Sequence, residues 1–165
     1  MKRLVLCMTT MVLFAACENS TNPLGGFIGG GGAVTATQAT GNWSFAVTRT
    51  TTFPACTNPL ADGTSITAHI DVLSDGTLAT ATSTWRNPIS ASVQPLTGFV
   101  DLTNGASTLH FSAPAVRGTA QMELLGTMTS SGGLTGGTLR DPEPGFTQVF
   151  GTGGCEYSVS GIKTS

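Results

Sequence analysis

The chain predicts an all-β domain, eight antiparallel strands in up-and-down order closed into a barrel, with a two-sheet β-sandwich as the alternative. Three observations carry this expectation. From Gly41 onward apolar residues alternate with Thr, Ser and other small residues, and no 3.6-residue stripe appears. Thr, Val, Ile and aromatic residues are enriched, and these types suit a pleated, half-buried surface. Three dipeptides, Asp75-Gly76, Asn104-Gly105 and Gly132-Gly133, offer the positive φ angles that two-residue hairpin turns need.

The alternation places strands near 42–52, 65–73, 77–86, 95–102, 107–113, 118–130, 134–140 and 155–163. Folding about Asp75-Gly76 sets Leu73 against Leu78, Ile70 against Ala81 and Ile66 against Trp85. Around Asn104-Gly105, Val100 meets Leu109 and Gly98 meets Phe111. The Gly132-Gly133 turn sets Gly126 against Leu139. These registers gather apolar or small residues on one face and leave His110, Asp101, Glu123 and many threonines on the other. A slip of one residue would invert every face. Gly98, Ala68, Ala81, Gly126 and Gly161 on the apolar face suit a crowded interior rather than lipid, which argues against a transmembrane barrel.

Connections sort by length. The three tight turns fall at one end, and the longer Pro-containing loops 53–64, 87–94, 114–117 and 141–154 at the other. An even strand count brings both chain termini to the tight-turn end. Cys56 follows the first strand and Cys155 begins the last, so closure would bring them together at the long-loop end. In an exported protein such a pair reads as a disulfide.

The case for export lies in Met1 to Cys17, MKRLVLCMTTMVLFAAC. Lys2 and Arg3 precede an apolar stretch from Leu4 to Phe14, shorter than the ~20 residues that span a bilayer. Ala15-Ala16-Cys17 ends it with small residues and a cysteine. This resembles the lipobox of bacterial lipoproteins, in which the cysteine is acylated and becomes the first mature residue. The resemblance makes residues 1–16 a signal peptide and Cys17 the lipidation site. Phe14 stands where the family usually has Leu, and an ordinary secretory signal cleaved near Ala16 is the alternative. Glu18, rather than Asp, after the cysteine implies an outer-membrane address by the same resemblance. Residues 17–40 then read as a lipidated, Gly-rich tether with an r.m.s. reach of about 25 Å. Residues 41–165 form the barrel domain.

Charged residues make up only 10% of the chain, with a formal net charge of −2. No basic patch marks a nucleic-acid binder. Gly41-Asn42-Trp43 resembles the G-x-W signature that opens lipocalins, and avidin-like barrels share the general plan. The resemblance implies that Trp43 packs at the closed end under a basic residue, a role open to Lys163.

Parity with Trp43, Phe45 and Val47 points Arg49 into the barrel. There it would anchor a small apolar or amphiphilic anion, with Trp85, Phe111, Met122 and Tyr157 as walls. A bulge near residues 50–52, or a snorkel to the rim, is the alternative for Arg49. Arg86, Arg117 and Arg140 fall at strand ends on the long-loop side. No nucleophile elbow, phosphate loop or metal-ligand spacing is visible, so neither catalysis nor a cofactor is expected. The sequence thus predicts a non-enzymatic envelope lipoprotein held to the membrane by lipid. Its barrel serves a structural or interaction role toward another envelope protein, with lipocalin-like ligand binding as the alternative.

Overall fold

The computed structural model describes residues 32–50, 60–115, 118–140 and 155–165. Strands β1 (Gly41–Arg49), β2 (Ser65–Ile70), β3 (Thr84–Arg86), β4 (Val93–Val100), β5 (Ala106–Ala115), β6 (Gly118–Met128), β7 (Gly133–Arg140) and β8 (Glu156–Lys163) follow one four-residue helix, α1 (Ala36–Ala39). Each strand pairs antiparallel with the next, and β1 pairs with β8, so the sheet closes into a barrel in up-and-down order. Closure removes the unpaired edges that an open sheet would expose.

Alternation decides which side chains enter. Along β1, Trp43, Phe45 and Val47 are buried between exposed or half-buried neighbours, and β2 and β8 repeat the pattern. The inward residues merge into one cluster. Trp43 stacks on Phe45 at 5.9 Å, Phe45 meets Phe111 edge-on at 6.2 Å, and Phe111 meets Trp85 edge-on at 5.4 Å. Small residues make room for this ladder. A Cβ on Gly161 would sit 2.7 Å from the Phe45 ring and 2.9 Å from Leu134 Cβ, so only glycine fits there.

The three turns are longer than the sequence reading has them. Leu73 pairs with Thr77 and Thr129 with Gly133 across three-residue loops, while Asp101 and Ala106 bracket a loop of four. Gly76, Gly105 and Gly132 take φ of 88°, 77° and 82° at the last loop position, whereas Asp75 and Asn104 stay at negative φ. One left-handed glycine after a more ordinary turn, not a pair of positive-φ residues, closes each loop. Aspartates support two of them. Asp75 Oδ1 accepts from the N–H and hydroxyl of Thr77 at 2.9 and 2.6 Å, and Asp101 Oδ1 does the same for Thr103.

Longer loops shift the register. Gly98 faces Leu109 and Leu96 faces Phe111; Leu124 faces Leu139; Ala68, not Ile66, faces Trp85. Each shift is of two residues, so the inward faces survive. Near the third turn β7 carries an extra residue against both neighbours, with Gly136 at φ 60° in the bulge. The expected strand 77–86 is interrupted. Residues 71–79 form a small hairpin that touches β4 through a Thr77–Phe99 bridge, a turn follows, and Thr84–Arg86 forms the strand β3. Ala81, expected inside, is exposed in that turn, while Ser83 is buried and exchanges hydrogen bonds with the backbone of Asp71. The loop expected at 114–117 is also shorter, because β5 and β6 pair as far as Ala115 and Gly118.

Both ends of the domain meet at the tight-turn end. Residues 34–40, which the sequence reading assigns to the tether, form the barrel floor, with Val34 and Ala39 buried. Thr35 and Gln38 close a capping box on α1. The carbonyls at its other end find donors as well. Lys163 Nζ reaches Thr37 O and Gln38 O, both at 3.2 Å, and Trp43 Nε1 donates to Ala39 O at 2.8 Å. Val34 N–H then bonds Leu102 O in the second turn, and Val72 N–H bonds Thr40 Oγ1 beside the first.

Candidate functional site

The residues expected to form a ligand chamber separate into two environments. Trp85, Phe111, Met122 and Tyr157 are no more than 1% exposed and belong to the packed interior. Their polar atoms are used within the fold: Trp85 Nε1 donates to Ser112 O at 3.0 Å, and Tyr157 Oη accepts from Leu60 N–H at 3.1 Å. Met122 lies directly opposite Phe111 across β5 and β6.

Arg49 does not join them. It pairs with Tyr157 at the far end of β1 and keeps the expected parity, yet it is exposed. Its backbone N–H donates to Asp62 Oδ1 at 2.9 Å. The strand remains paired with β8 through Arg49, so no bulge turns the side chain. Arg49 is exposed although Tyr157 opposite it is buried, and its guanidinium stays in water rather than losing its hydration. The exposed side chain agrees with the rim reading of Arg49, without the bulge, and not with the inward one.

Cys155 is buried just before β8. Cys56 and Cys17 lie outside the described residues, as does Arg117. Arg140 pairs with Glu156 at 2.9 Å. That contact belongs to a row the sequence reading missed, with His110 opposite Glu123, Glu123 opposite Arg140, and Arg140 opposite Glu156 on successive strands. Cross-strand register is the only signal for it, and register was the part misplaced by two. The Arg140–Glu156 pair is half exposed, so it contributes at most ~1 kcal/mol.

Two of the grooves among the described residues lie on the outer wall. One, of about 320 Å³, is largely apolar and runs past Phe99, Thr108 and Leu125 beside the second turn. The other, of about 370 Å³, lies over β1–β4 and is lined by Asn42, Thr67, His69, Thr84, Arg86 and Val93, among others. His69 Nδ1 and Asn42 Oδ1 are 3.0 Å apart. Asp71, two residues beyond His69, instead accepts from the Thr82 hydroxyl at 2.6 Å. Among the described residues no cluster of His, Cys, Asp and Glu has the arrangement of a metal site.

The chain matches no known protein family, no curated protein and no solved structure.

Proposed function

We propose that this chain is a non-enzymatic cell-envelope lipoprotein, anchored through Cys17, whose barrel is a filled scaffold for a structural or interaction role. The observation that carries the reading is the aromatic ladder Trp43–Phe45–Phe111–Trp85. Rings that would line a ligand chamber instead pack on one another across the barrel. The rival reading, an amphiphilic anion inside a lipocalin-like cavity, relied on Arg49 as its anchor, and Arg49 is exposed. Trp43 and Lys163, opposite each other in register, each bond carbonyls of α1 in the floor, which concerns architecture.

Anchoring would add orientation. Residue 34 sits at the tight-turn end, so a tether from Cys17 would hold that end toward the membrane and present the opposite rim outward. A Cys56–Cys155 disulfide at that rim would tie β8 to the segment that follows β1, its barrel neighbour. Native mass spectrometry of protein extracted from the envelope tests the scaffold: the expected species is the acylated polypeptide alone. A stoichiometric small molecule retained through extraction would overturn it. Labelling with radioactive palmitate tests the anchor, with incorporation lost in Cys17→Ser. Persistent labelling of that variant would refute lipidation at Cys17.

A further inference from the structure

We infer that the groove over β1–β4 is a binding site for a small acidic sugar, one carrying a carboxylate or phosphate on a hydroxylated ring. The inference rests on the outer wall alone, so a ligand found inside the barrel would leave it standing.

Four cations lie among the described residues. Lys163 is spent on the carbonyls of α1 and Arg140 on Glu156. Arg49 stands at the rim. Arg86 is exposed, has no hydrogen bond or ion pair among the described residues, and lines the 370 Å³ groove. Among the described residues no Asp or Glu lines that groove, although acidic residues outnumber Lys and Arg in the chain by nine to seven. An unpaired guanidinium in a concave, acid-free surface favours an oxyanion, which it can grip with two parallel N–H groups.

The neighbours extend the match. Thr67 lies directly opposite Arg86 on β2, and Thr84 lies opposite His69. His69 and Arg86 thus form a diagonal across two strands, ~7–8 Å apart at the backbone and within reach of one ligand. The ring of His69 is held in place. Asn42 Nδ2 donates to Ser165 Oγ at 2.8 Å, so Asn42 Oδ1 is the acceptor and His69 Nδ1 the donor. Nε2 remains as the ring's free hydrogen-bonding atom. It accepts from a sugar hydroxyl when the ring is neutral and donates to an oxyanion when it is charged. Beside the apolar Trp43, Ala68, Trp85 and Val93, the hydroxyls of Ser44, Thr67, Thr84 and Thr164 add groups that both donate and accept, as a polyol requires.

The chain has two histidines, and His110 lies on β5 outside this groove, so it serves as an internal control. The test follows both imidazole rings by NMR in the untagged mature protein, titrated with glucuronate, glucose 6-phosphate, glucose and inorganic phosphate. The two acidic sugars are expected to shift His69 saturably and leave His110 still, and glucose to do neither. Arg86→Gln should weaken binding by about tenfold or more, since a charge-assisted bidentate contact is lost, while Arg49→Gln should change nothing. Thr67→Val, also exposed, gives a second weakened variant with the guanidinium intact. Absence of a saturable His69 shift, or undiminished binding by Arg86→Gln with an otherwise unchanged spectrum, overturns the site. Inorganic phosphate binding as tightly as glucose 6-phosphate overturns the sugar component.

Discussion

Truncating Phe111 to alanine discriminates between a filled and a hollow barrel. Phe111 is 0% exposed and its ring meets both Phe45 and Trp85 edge-on. Removing it deletes two aromatic contacts worth ~0.5–1.5 kcal/mol each beyond area burial. The ladder around it is fixed by three β strands and cannot collapse into the space, so the full cavity cost of ~3–5 kcal/mol applies. In urea, with a slope of ~1.5 kcal/mol/M for a domain of this size, the midpoint should fall by about 2–3 M. Phe111→Leu, which keeps part of the volume, should cost less, and the pair guards against outright unfolding, since a small domain is stable by only ~5–15 kcal/mol. Equilibrium unfolding followed by tryptophan fluorescence, with the redox state held constant, reads both variants. A ring lining a solvent- or ligand-filled chamber would leave no new void. A loss for Phe111→Ala below ~1.5 kcal/mol would therefore refute the filled interior, because the cavity cost would be missing.

Lys163→Met should loosen the floor by removing both hydrogen bonds to α1, a loss of ~1.5–3 kcal/mol for bonds made by a charged donor. Amide exchange at Val34 should rise first, and unchanged protection there would contradict the role given to Lys163. Asp75 and Asp101 are held below the ordinary carboxylate value of 3.8, chiefly by the hydroxyls of Thr77 and Thr103 and then by their backbone N–H groups. Depressed folded values mean that their contribution is complete above the unfolded pKa and disappears as pH falls from 3.8 through the folded values. Thermal unfolding of Asp75→Asn/Asp101→Asn should accordingly show a flatter pH dependence below about pH 4 than the parent, and parallel curves would rule this out. Cys56→Ser should lower stability by up to about 4–5 kcal/mol in the chain-entropy model, with the parent matching it only under reductant. Identical unfolding of parent and variant under oxidising conditions would exclude the Cys56–Cys155 bridge.

How much of this fold was legible from sequence comes down to the difference between parity and register. Strand side chains repeat every two residues, so a register error of two leaves each face where it was. That is why Phe111, Met122, Trp85 and Tyr157 lie inside as parity expects, while Gly98, Leu139 and Trp85 take cross-strand partners two residues from the expected ones. Asp-Gly and Asn-Gly mark a turn without fixing its length. Here Thr77 and Thr103 let the preceding aspartates close longer loops, an interaction visible only once the chain is folded. Candidate-site residues suffered most, because they depend on register or on depth. Parity says which way Arg49 starts out, but not that a long side chain near the rim ends in water. Residues 34–40 failed for a different reason. A four-residue helix has no periodicity to detect, and it is held by Trp43 just after it and by Lys163, 125 residues from Gln38 in sequence but 3.2 Å away in the fold.

The same distinction explains why the outer wall carries the functional argument. Inward positions are constrained by packing, and glycines at 126, 137 and 161 show how little volume is spare. Outward positions are free of that constraint, and on most of the wall they are filled with Ser and Thr, whose neutral hydroxyls need no partner. Among the described residues one charge there, Arg140, is neutralised by its cross-strand neighbour Glu156. Arg86 differs, with Thr67 opposite it and Val93 on the other side. A barrel wall selected only for solubility gains as much from a paired cation as from an unpaired one. An unpaired cation in a concave, acid-free groove, beside an imidazole oriented by a buttressing amide, is the arrangement that a ligand would complete.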